Sequence, residues 1–238
     1  MILSEKHIIL THSGSIDSFQ VLEEFGATLH HFPMIDVTKN LYTKPFDLSN
    51  FDYYVFTSKN GVKSFFNCDF VRGKKINTIC LGEKTRKALI ENGIEPVFIS
   101  EESYTDNLIN ELVNNQMVRN KKILLVLGNL ADNRIEEGLS SSCNVSRLNI
   151  YQTNLETLKK DDITNLLKNW STITIFTSPS SFQAFSNLYD SEETTLASIG
   201  TTTSQSIESS GFTAKIIATE QTYDGISKAI IKYYETKK

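Results

Sequence analysis

The chain has 238 residues, and its 24 basic and 28 acidic side chains give a net charge of −4. This charge argues against a nucleic-acid binder that depends on a broad basic face. Glycine and proline contribute only 11 and 4 residues, about half their usual share, which excludes collagen-like and linker-dominated chains. The length fits one large domain or two small ones.

Short apolar runs rich in β-branched residues alternate along the chain with segments of helical period. Strands are predicted at 8–11, 29–35, 53–57, 78–81, 96–99, 123–127, 145–151, 173–177, 196–199 and 214–218. Helices are predicted at 16–25, 59–67, 83–92, 105–115, 133–140, 180–188, 202–210 and 225–234, and the charged run 159–162 is interpreted as a further helix start. The polar stretch 36–51 is predicted to be a loop. This alternation indicates βαβ units, and the predicted fold class is α/β with parallel sheets.

The sequence resembles itself at a spacing of roughly 120 residues. Leu-Gly-Glu-Lys-Thr at 81–85, followed by Gly93, is similar to Ile-Gly-Thr-Thr-Thr at 199–203, followed by Gly211. Phe-Thr-Ser at 56–58 recurs at 176–178, in the same order relative to the first pair. We therefore interpret the protein as two copies of one α/β unit.

Four predicted strand ends share small hydroxyl, amide or glycine residues that open the next helix. They lie at 57–61, 82–85, 177–180 and 200–203. Helix capping alone explains each of them, and Ser178 before Pro179 is a favourable N-cap and first helical residue. Helix N-termini at the carboxyl ends of strands also bind anions. Four such ends in two lobes that face one another are therefore predicted to hold a ligand with several carboxylates.

Sequence motifs for nucleotide, metal and hydrolase chemistry are missing. There is no G-x-x-x-x-G-K-[ST], no G-x-G-x-x-G after a strand and no G-x-S-x-G. The three cysteines form no C-x-x-C pair, and the four histidines lack zinc spacing. The N-terminal residues lack a signal-peptide pattern, so we expect a cytoplasmic protein in which the cysteines stay reduced.

Six short motifs span nearly the whole chain: 56–62, 81–85 with Gly93, 127–129, 150–153, 176–180, and 199–203 with Gly211. In this order and spacing they resemble the uroporphyrinogen-III synthase family. The resemblance implies two flavodoxin-like lobes with parallel sheets, joined by a two-stranded β-ladder. Residues 1–35 and 153–238 then form one lobe and 38–147 the other, and the chain crosses between them at 31–37 and 147–153.

The resemblance also implies a reaction. Enzymes of this family close the linear tetrapyrrole hydroxymethylbilane into uroporphyrinogen III, with inversion of the last ring and loss of water, and they use no cofactor or metal. The bilane closes unaided to the type I isomer, so catalysis requires that the substrate be held in one folded shape. We expect this small molecule as the partner of a monomeric chain that binds neither nucleic acid nor membrane.

Site residues follow from the same resemblance. Tyr151 matches the family's tyrosine that assists departure of the hydroxyl as a hydrogen-bond donor or general acid. The substrate's acetate and propionate groups are expected at Ser58, Asn60, Thr85, Gly128, Asn129, Ser178, Ser180, Gly200, Thr202 and Thr203.

Two alternatives stay open at this point. A non-catalytic anion- or tetrapyrrole-binding regulatory protein shares the duplicated fold, but it has no need of the Tyr151 phenol. A duplicated nucleotide-binding protein is disfavoured by the missing phosphate-loop glycines. The chain also departs from the family, because many relatives have arginine where this chain has Thr-His-Ser at 11–13, which leaves the role of His12 open. Many also have proline in place of Thr201, which changes the cap geometry.

Overall fold

The computed structural model describes residues 1–39, 47, 50–71, 75–100 and 104–236. Its strands are β1 (Lys6–Leu10), β2 (Thr28–His31), β3 (Ile35–Lys39), β4 (Tyr53–Phe56), β5 (Thr78–Leu81), β6 (Phe98–Ser100), β7 (Lys122–Gly128), β8 (Asn144–Leu155), β9 (Ser171–Phe176), β10 (Thr195–Ser198) and β11 (Ile216–Ile217). Its α-helices are α1 (Val21–Glu24), α2 (Lys59–Phe66), α3 (Glu83–Glu91), α4 (Thr105–Asn114), α5 (Arg134–Leu139), α6 (Asp161–Asn169), α7 (Pro179–Ser186), α8 (Thr201–Ser209) and α9 (Tyr223–Glu235). The α/β class with parallel sheets is confirmed.

The chain divides into two compact units. The discontinuous unit combines Met1–Asp36 with Asn154–Lys238, and the continuous unit is Val37–Thr153. The chain therefore passes from one unit to the other inside β3 and again inside β8, and these two strands are neighbours in one sheet.

The strands form two sheets that have five strands in the same order. The discontinuous unit has the order β2-β1-β9-β10-β11, and all of its pairings are parallel. The second sheet has the order β3-β8-β7-β4-β5-β6, with parallel pairings from β8 to β6. Both contain the 2-1-3-4-5 arrangement of a doubly wound sheet. In the second sheet, however, β7 and β8, which occupy the places of β1 and β2, come last along the chain.

Both faces of each sheet are covered. Successive side chains of a strand point to opposite faces, and neighbouring residues of the central strands are buried in different clusters. In β1, Ile8 and Leu10 belong to one buried cluster and Ile9 to another. In β7, Leu124 and Val126 pack in one cluster and Leu125 in the other. Continuous apolar strands of this kind are typical of parallel sheets with helices on both sides.

The predicted strand 29–35 is two strands, and its predicted extent is wrong. Pro33 has no N–H to give to a ladder, so β2 ends at His31 and β3 begins at Ile35. The backbone between them is bonded to the end of β1 and to the residue after it, since Phe32 N donates to Leu10 O and Met34 N donates to Thr11 O.

Several other predicted boundaries change. The predicted helix 16–25 is a short 3-10 turn followed by the single-turn helix α1, and the predicted loop 36–51 opens with the strand residues of β3. Residues 40–46, 48 and 49 of that loop lie outside the described residues. The charged run 159–162 does precede a helix, because α6 begins at Asp161.

Candidate active site

The carboxyl ends of parallel strands meet at one edge of a sheet, and ligands bind there at the point where the strand order reverses. In the continuous unit the order reverses between β7 and β4, which are neighbours. Gly128 ends β7 and Phe56 ends β4. Residues that follow these two strands therefore form the candidate site of this unit.

Ser58 caps α2 at this point. Its backbone is extended, and its Oγ accepts a hydrogen bond from Gly61 N at 3.1 Å. An N-cap serine satisfies one of the amides that a helix leaves unpaired at its start. The same Oγ lies 3.1 Å from the phenol oxygen of Tyr151. The structure thus brings together two predicted site residues that are far apart in sequence.

A β-bulge aims Tyr151 at Ser58. The register between β7 and β8 shifts at Leu127 and Gly128, so Leu127 faces Asn149 while Gly128 faces Tyr151. Ile150 is the extra residue on β8, and it packs in the same apolar cluster as Tyr151 although the two are consecutive. A regular strand sends consecutive side chains to opposite faces, and a bulge removes that restriction.

Gly128 is the platform under the tyrosine ring. A Cβ at this position would lie 2.4 Å from Cζ and 2.8 Å from the phenol oxygen of Tyr151. No such contact occurs between real atoms, so any side chain here displaces the ring. The glycine is therefore required by the close approach of Tyr151.

Asn129 holds the backbone on either side of the bulge. Its N–H donates to Tyr151 O at 3.2 Å, its Oδ1 accepts from Thr153 N at 2.7 Å, and its Nδ2 donates to Thr153 O at 3.2 Å. The side-chain amide extends the β-ladder by one rung past the end of β7. These bonds hold the side-chain amide of Asn129 against β8.

Arg147 fixes the loop that follows β7. Its guanidinium donates to Gly128 O at 3.2 Å and to Ala131 O at 2.7 Å, and it pairs with Glu136 at 3.0 Å. The side chain is only 17% exposed. Charge-assisted bonds to several carbonyls make this loop a fixed part of the sheet edge.

The remaining predicted residues of the continuous unit begin helices. Asn60 is half-buried in the first turn of α2. Thr85, in the first turn of α3, is 3% exposed and its N–H donates to Gly82 O at 3.2 Å. Gly82 has a φ of 76°, a left-handed conformation that favours glycine, and it occupies the N-cap of α3.

The discontinuous unit presents a related set of strand ends. Ser178 caps α7 by accepting from Ser181 N at 3.2 Å, and its Oγ lies 3.0 Å from Ser180 Oγ. Gly200 is the extended N-cap of α8. In the same helix Thr202 is exposed and Thr203 is 3% exposed, so only the first of these two side chains faces solvent.

His12 follows β1 in this unit and is almost completely buried. Its Nε2–H donates to Ser15 O at 3.0 Å, and its backbone carbonyl accepts from His31 Nε2 at 2.7 Å. The ring packs on Phe19 and Tyr223, and Nδ1 has no partner among the described residues. The pKa of His12 is lowered by burial most of all, with a smaller contribution from His31. Its imidazole thus shapes the loop after β1.

Two lysines at the sheet edge of the continuous unit were missed by the sequence analysis. Lys59 and Lys84 are exposed first-turn residues of α2 and α3, which follow the neighbouring strands β4 and β5. The pKa of Lys84 is lowered by desolvation and then by the positive charge of Lys59. A comparison of the two sequence copies could have found them. The residues that correspond to Lys59 and Lys84 in the other copy are Pro179 and Thr202, which are uncharged.

The described residues contain no group of three or more His, Cys, Asp or Glu side chains placed to hold a metal ion. Nor does any helix in the described ranges have the length and apolar character needed to cross a bilayer.

Comparison with known proteins assigns the family. A family model described as uroporphyrinogen-III synthase HemD matches residues 18–228. The chain belongs to the uroporphyrinogen-III synthase family. Synthases of this family are enzymes of tetrapyrrole biosynthesis, so cyclisation of the linear tetrapyrrole is confirmed as the function over the non-catalytic alternative.

Solved synthases have the same fold. The uroporphyrinogen-III synthetase of Helicobacter pylori aligns over 95% of this chain and 99% of its own, with a TM-score of 0.67 and 19% identity. A mutant synthase from the extremely thermophilic bacterium Thermus thermophilus aligns over 97% and 99%, with a TM-score of 0.74 and 14% identity. At these identities the likeness is evidence for the fold alone. No curated protein matches the chain.

Gly128→Ala is expected to displace the Tyr151 ring, since the added Cβ overlaps it. We expect a lower melting temperature and slower cyclisation by this synthase. The same substitution in a Tyr151→Ala background should cost much less stability, because the ring is no longer there. Equal losses of melting temperature in the two backgrounds would contradict the platform role.

Acidification is expected to weaken the discontinuous unit through His12. The folded-state pKa lies below the ordinary value of 6.5, so as the pH falls through about 6.5 the unfolded chain takes up more protons and stability is lost. His12→Gln should reduce the fall in melting temperature between about pH 7.5 and pH 5.5. Part of the fall in melting temperature should remain in this variant, because the pKa of His30 is also lowered, by desolvation and by His7. An NMR titration that places the pKa of His12 above the ordinary value would contradict this prediction.

Proposed function

We propose that Tyr151 is the general acid of the cyclisation. The observation that carries this proposal is the placement of its phenol at the strand-order reversal of the continuous unit, held by Ser58 and Gly128. Tyrosine phenols are ordinarily protonated at neutral pH and able to donate. Ligands of doubly wound sheets bind at such a reversal.

The proposed step starts with the terminal hydroxymethyl group of hydroxymethylbilane. The carbon–oxygen bond breaks as electrons from the attached pyrrole form a new carbon–carbon double bond. The departing oxygen takes the C–O electron pair and the proton of Tyr151, and leaves as water. Closure of the macrocycle later releases one proton from a pyrrole carbon, which restores the phenol, so the net change is loss of one water.

We further propose that the strand-end loops of both units bind the substrate's acetate and propionate groups. The predicted contributors are Ser58, Asn60, Thr85, Gly128, Asn129, Ser178, Ser180, Gly200, Thr202 and Thr203. These residues differ in burial: the side chains of Thr85 and Thr203 are buried, while those of Asn60 and Thr202 are accessible. Helix N-termini favour anions through their unpaired amides and the helix dipole.

Lys59 and Lys84 join this set in our proposal. Desolvation lowers the pKa of Lys84 most, and the like charge of Lys59 lowers it further. A bound carboxylate relieves that repulsion and gains from two helix N-termini as well. An overall charge of −4 is thereby compatible with an acidic substrate, because a local pair of cations replaces a broad basic face.

We also propose which strands connect the two units. We take β3 and β8 to be the predicted two-stranded connection, because each contains a boundary between the units and they are neighbours in one sheet. A monomeric state and a cytoplasmic location remain predictions from the sequence.

The direct test generates hydroxymethylbilane in place and separates the products by isomer. The wild-type chain should yield uroporphyrinogen III well above the uncatalysed background. Only the type I isomer, at the background rate, would refute the proposed function. Tyr151→Phe should slow formation of the type III isomer about 10- to 100-fold without abolishing it, because the bilane also loses its hydroxyl unaided. Tyr53→Phe, at the opposite end of β4, is the control and should react at the wild-type rate.

Lys59→Ala and Lys84→Ala should each raise KM by roughly threefold to tenfold with little change in kcat, because they remove attraction for a carboxylate that does not react. Lys63→Ala, one turn further along α2, is the matched control and should leave KM unchanged. An unchanged KM in both test variants, measured at low ionic strength, would remove the lysine pair from the site.

A further inference from the structure

We infer that Ser58 is a positioning residue that donates a hydrogen bond to the phenol oxygen of Tyr151, so that the phenol proton is left for the substrate. This inference rests on the proposed function of Tyr151. It assigns Ser58 a role beyond capping α2 and beyond carboxylate binding.

The donors and acceptors at Ser58 allow it to donate to Tyr151. Its Oγ accepts from Gly61 N at 3.1 Å, which uses one lone pair and leaves the hydroxyl hydrogen to be given elsewhere. Tyr151 lies at 3.1 Å from the same atom. When Ser58 donates, the phenol oxygen is an acceptor on this side and its own hydrogen points elsewhere. When the phenol donates instead, its proton is occupied and unavailable for the leaving hydroxyl.

A chain of donors then leads from the helix to the reacting oxygen. Gly61 N–H donates to Ser58, Ser58 donates to Tyr151, and Tyr151 donates to the departing hydroxyl. Hydrogen bonds in such a chain strengthen one another. Negative charge that grows on the phenol oxygen during proton transfer is stabilised by the Ser58 donor, which is already in place before the reaction.

The other unit supplies a natural contrast. Ser178 corresponds to Ser58 and caps α7 in the same way, accepting from Ser181 N at 3.2 Å. Its Oγ lies next to Ser180 of its own helix, at 3.0 Å, instead of next to a tyrosine. Capping is therefore common to both serines, and the contact with a phenol distinguishes Ser58.

The experiment is a double-mutant cycle between Ser58→Ala and Tyr151→Phe, with single-turnover formation of uroporphyrinogen III as the readout. Ser58→Ala alone should slow the reaction about tenfold, and in the Tyr151→Phe background it should slow it less than about twofold. The matched cycle of Ser178→Ala with Tyr151→Phe should give the same factor in both backgrounds.

Two further variants separate positioning from capping. Ser58→Thr keeps both the cap and the hydroxyl and should restore most of the wild-type kcat. Ser58→Gly keeps a tolerated N-cap residue but has no hydroxyl to donate, so kcat should fall as in Ser58→Ala while α2 keeps its protection against amide exchange.

The outcomes distinguish failure of the proposed function from failure of the inference about Ser58. A wild-type chain that forms no type III isomer refutes the proposed function itself. A wild-type chain that forms it, combined with equal effects of Ser58→Ala in the wild-type and Tyr151→Phe backgrounds, overturns the inference about Ser58 alone. Full kcat in Ser58→Gly overturns it as well.

Discussion

The candidate site depends on one irregularity in one strand. Ile150 and Tyr151 are consecutive residues that share a face of the second sheet, because the ladder between β7 and β8 shifts at Gly128. Without the bulge, the core packing of Ile150 would turn Tyr151 to the other face. The bulge in turn requires a residue without a side chain beneath the ring, and Gly128 meets that requirement.

Polar groups around the bulge compensate for the lost ladder bonds. Asn129 supplies a donor and an acceptor to Thr153, where β7 has already ended. Arg147 donates hydrogen bonds to the carbonyls of Gly128 and of the loop that follows it. A loop with its carbonyls bound in this way keeps its shape without help from a ligand, which is the condition for a preorganised site.

The sequence alone predicts much of the framework. Continuous apolar strands such as β7 indicate coverage on both faces, and the hydroxyl-rich segments after them indicate helix caps, as found at Ser58 and Ser178. The effect of Pro33 on β2 was also open to prediction, since proline lacks the ladder donor. The contact between Ser58 and Tyr151 was not, because it depends on a register shift that leaves no mark in the hydrophobic pattern.

The two copies have kept one framework and diverged in chemistry. In each copy a serine caps the helix that comes after the strand following the reversal of strand order. The continuous unit has Tyr151, Lys59 and Lys84 at its edge, whereas the positions that correspond to the two lysines in the discontinuous unit are Pro179 and Thr202. In our proposal the caps of both copies bind anions, and Tyr151, Lys59 and Lys84 give the continuous unit a proton donor and two cations.

A weak acid held in a fixed place suits a reaction that proceeds unaided to the wrong isomer. In the proposed mechanism Tyr151 accelerates departure of the hydroxyl, but acceleration alone favours neither isomer, since both arise after the same bond breaks. Isomer choice then depends on how firmly the carboxylate groups are held while the ring closes, a role that we propose for the caps and lysines. The rate of conversion and the ratio of the two isomers consequently report on different residues. A substitution at the phenol changes the first more than the second, and a substitution at the anion-binding edge does the opposite.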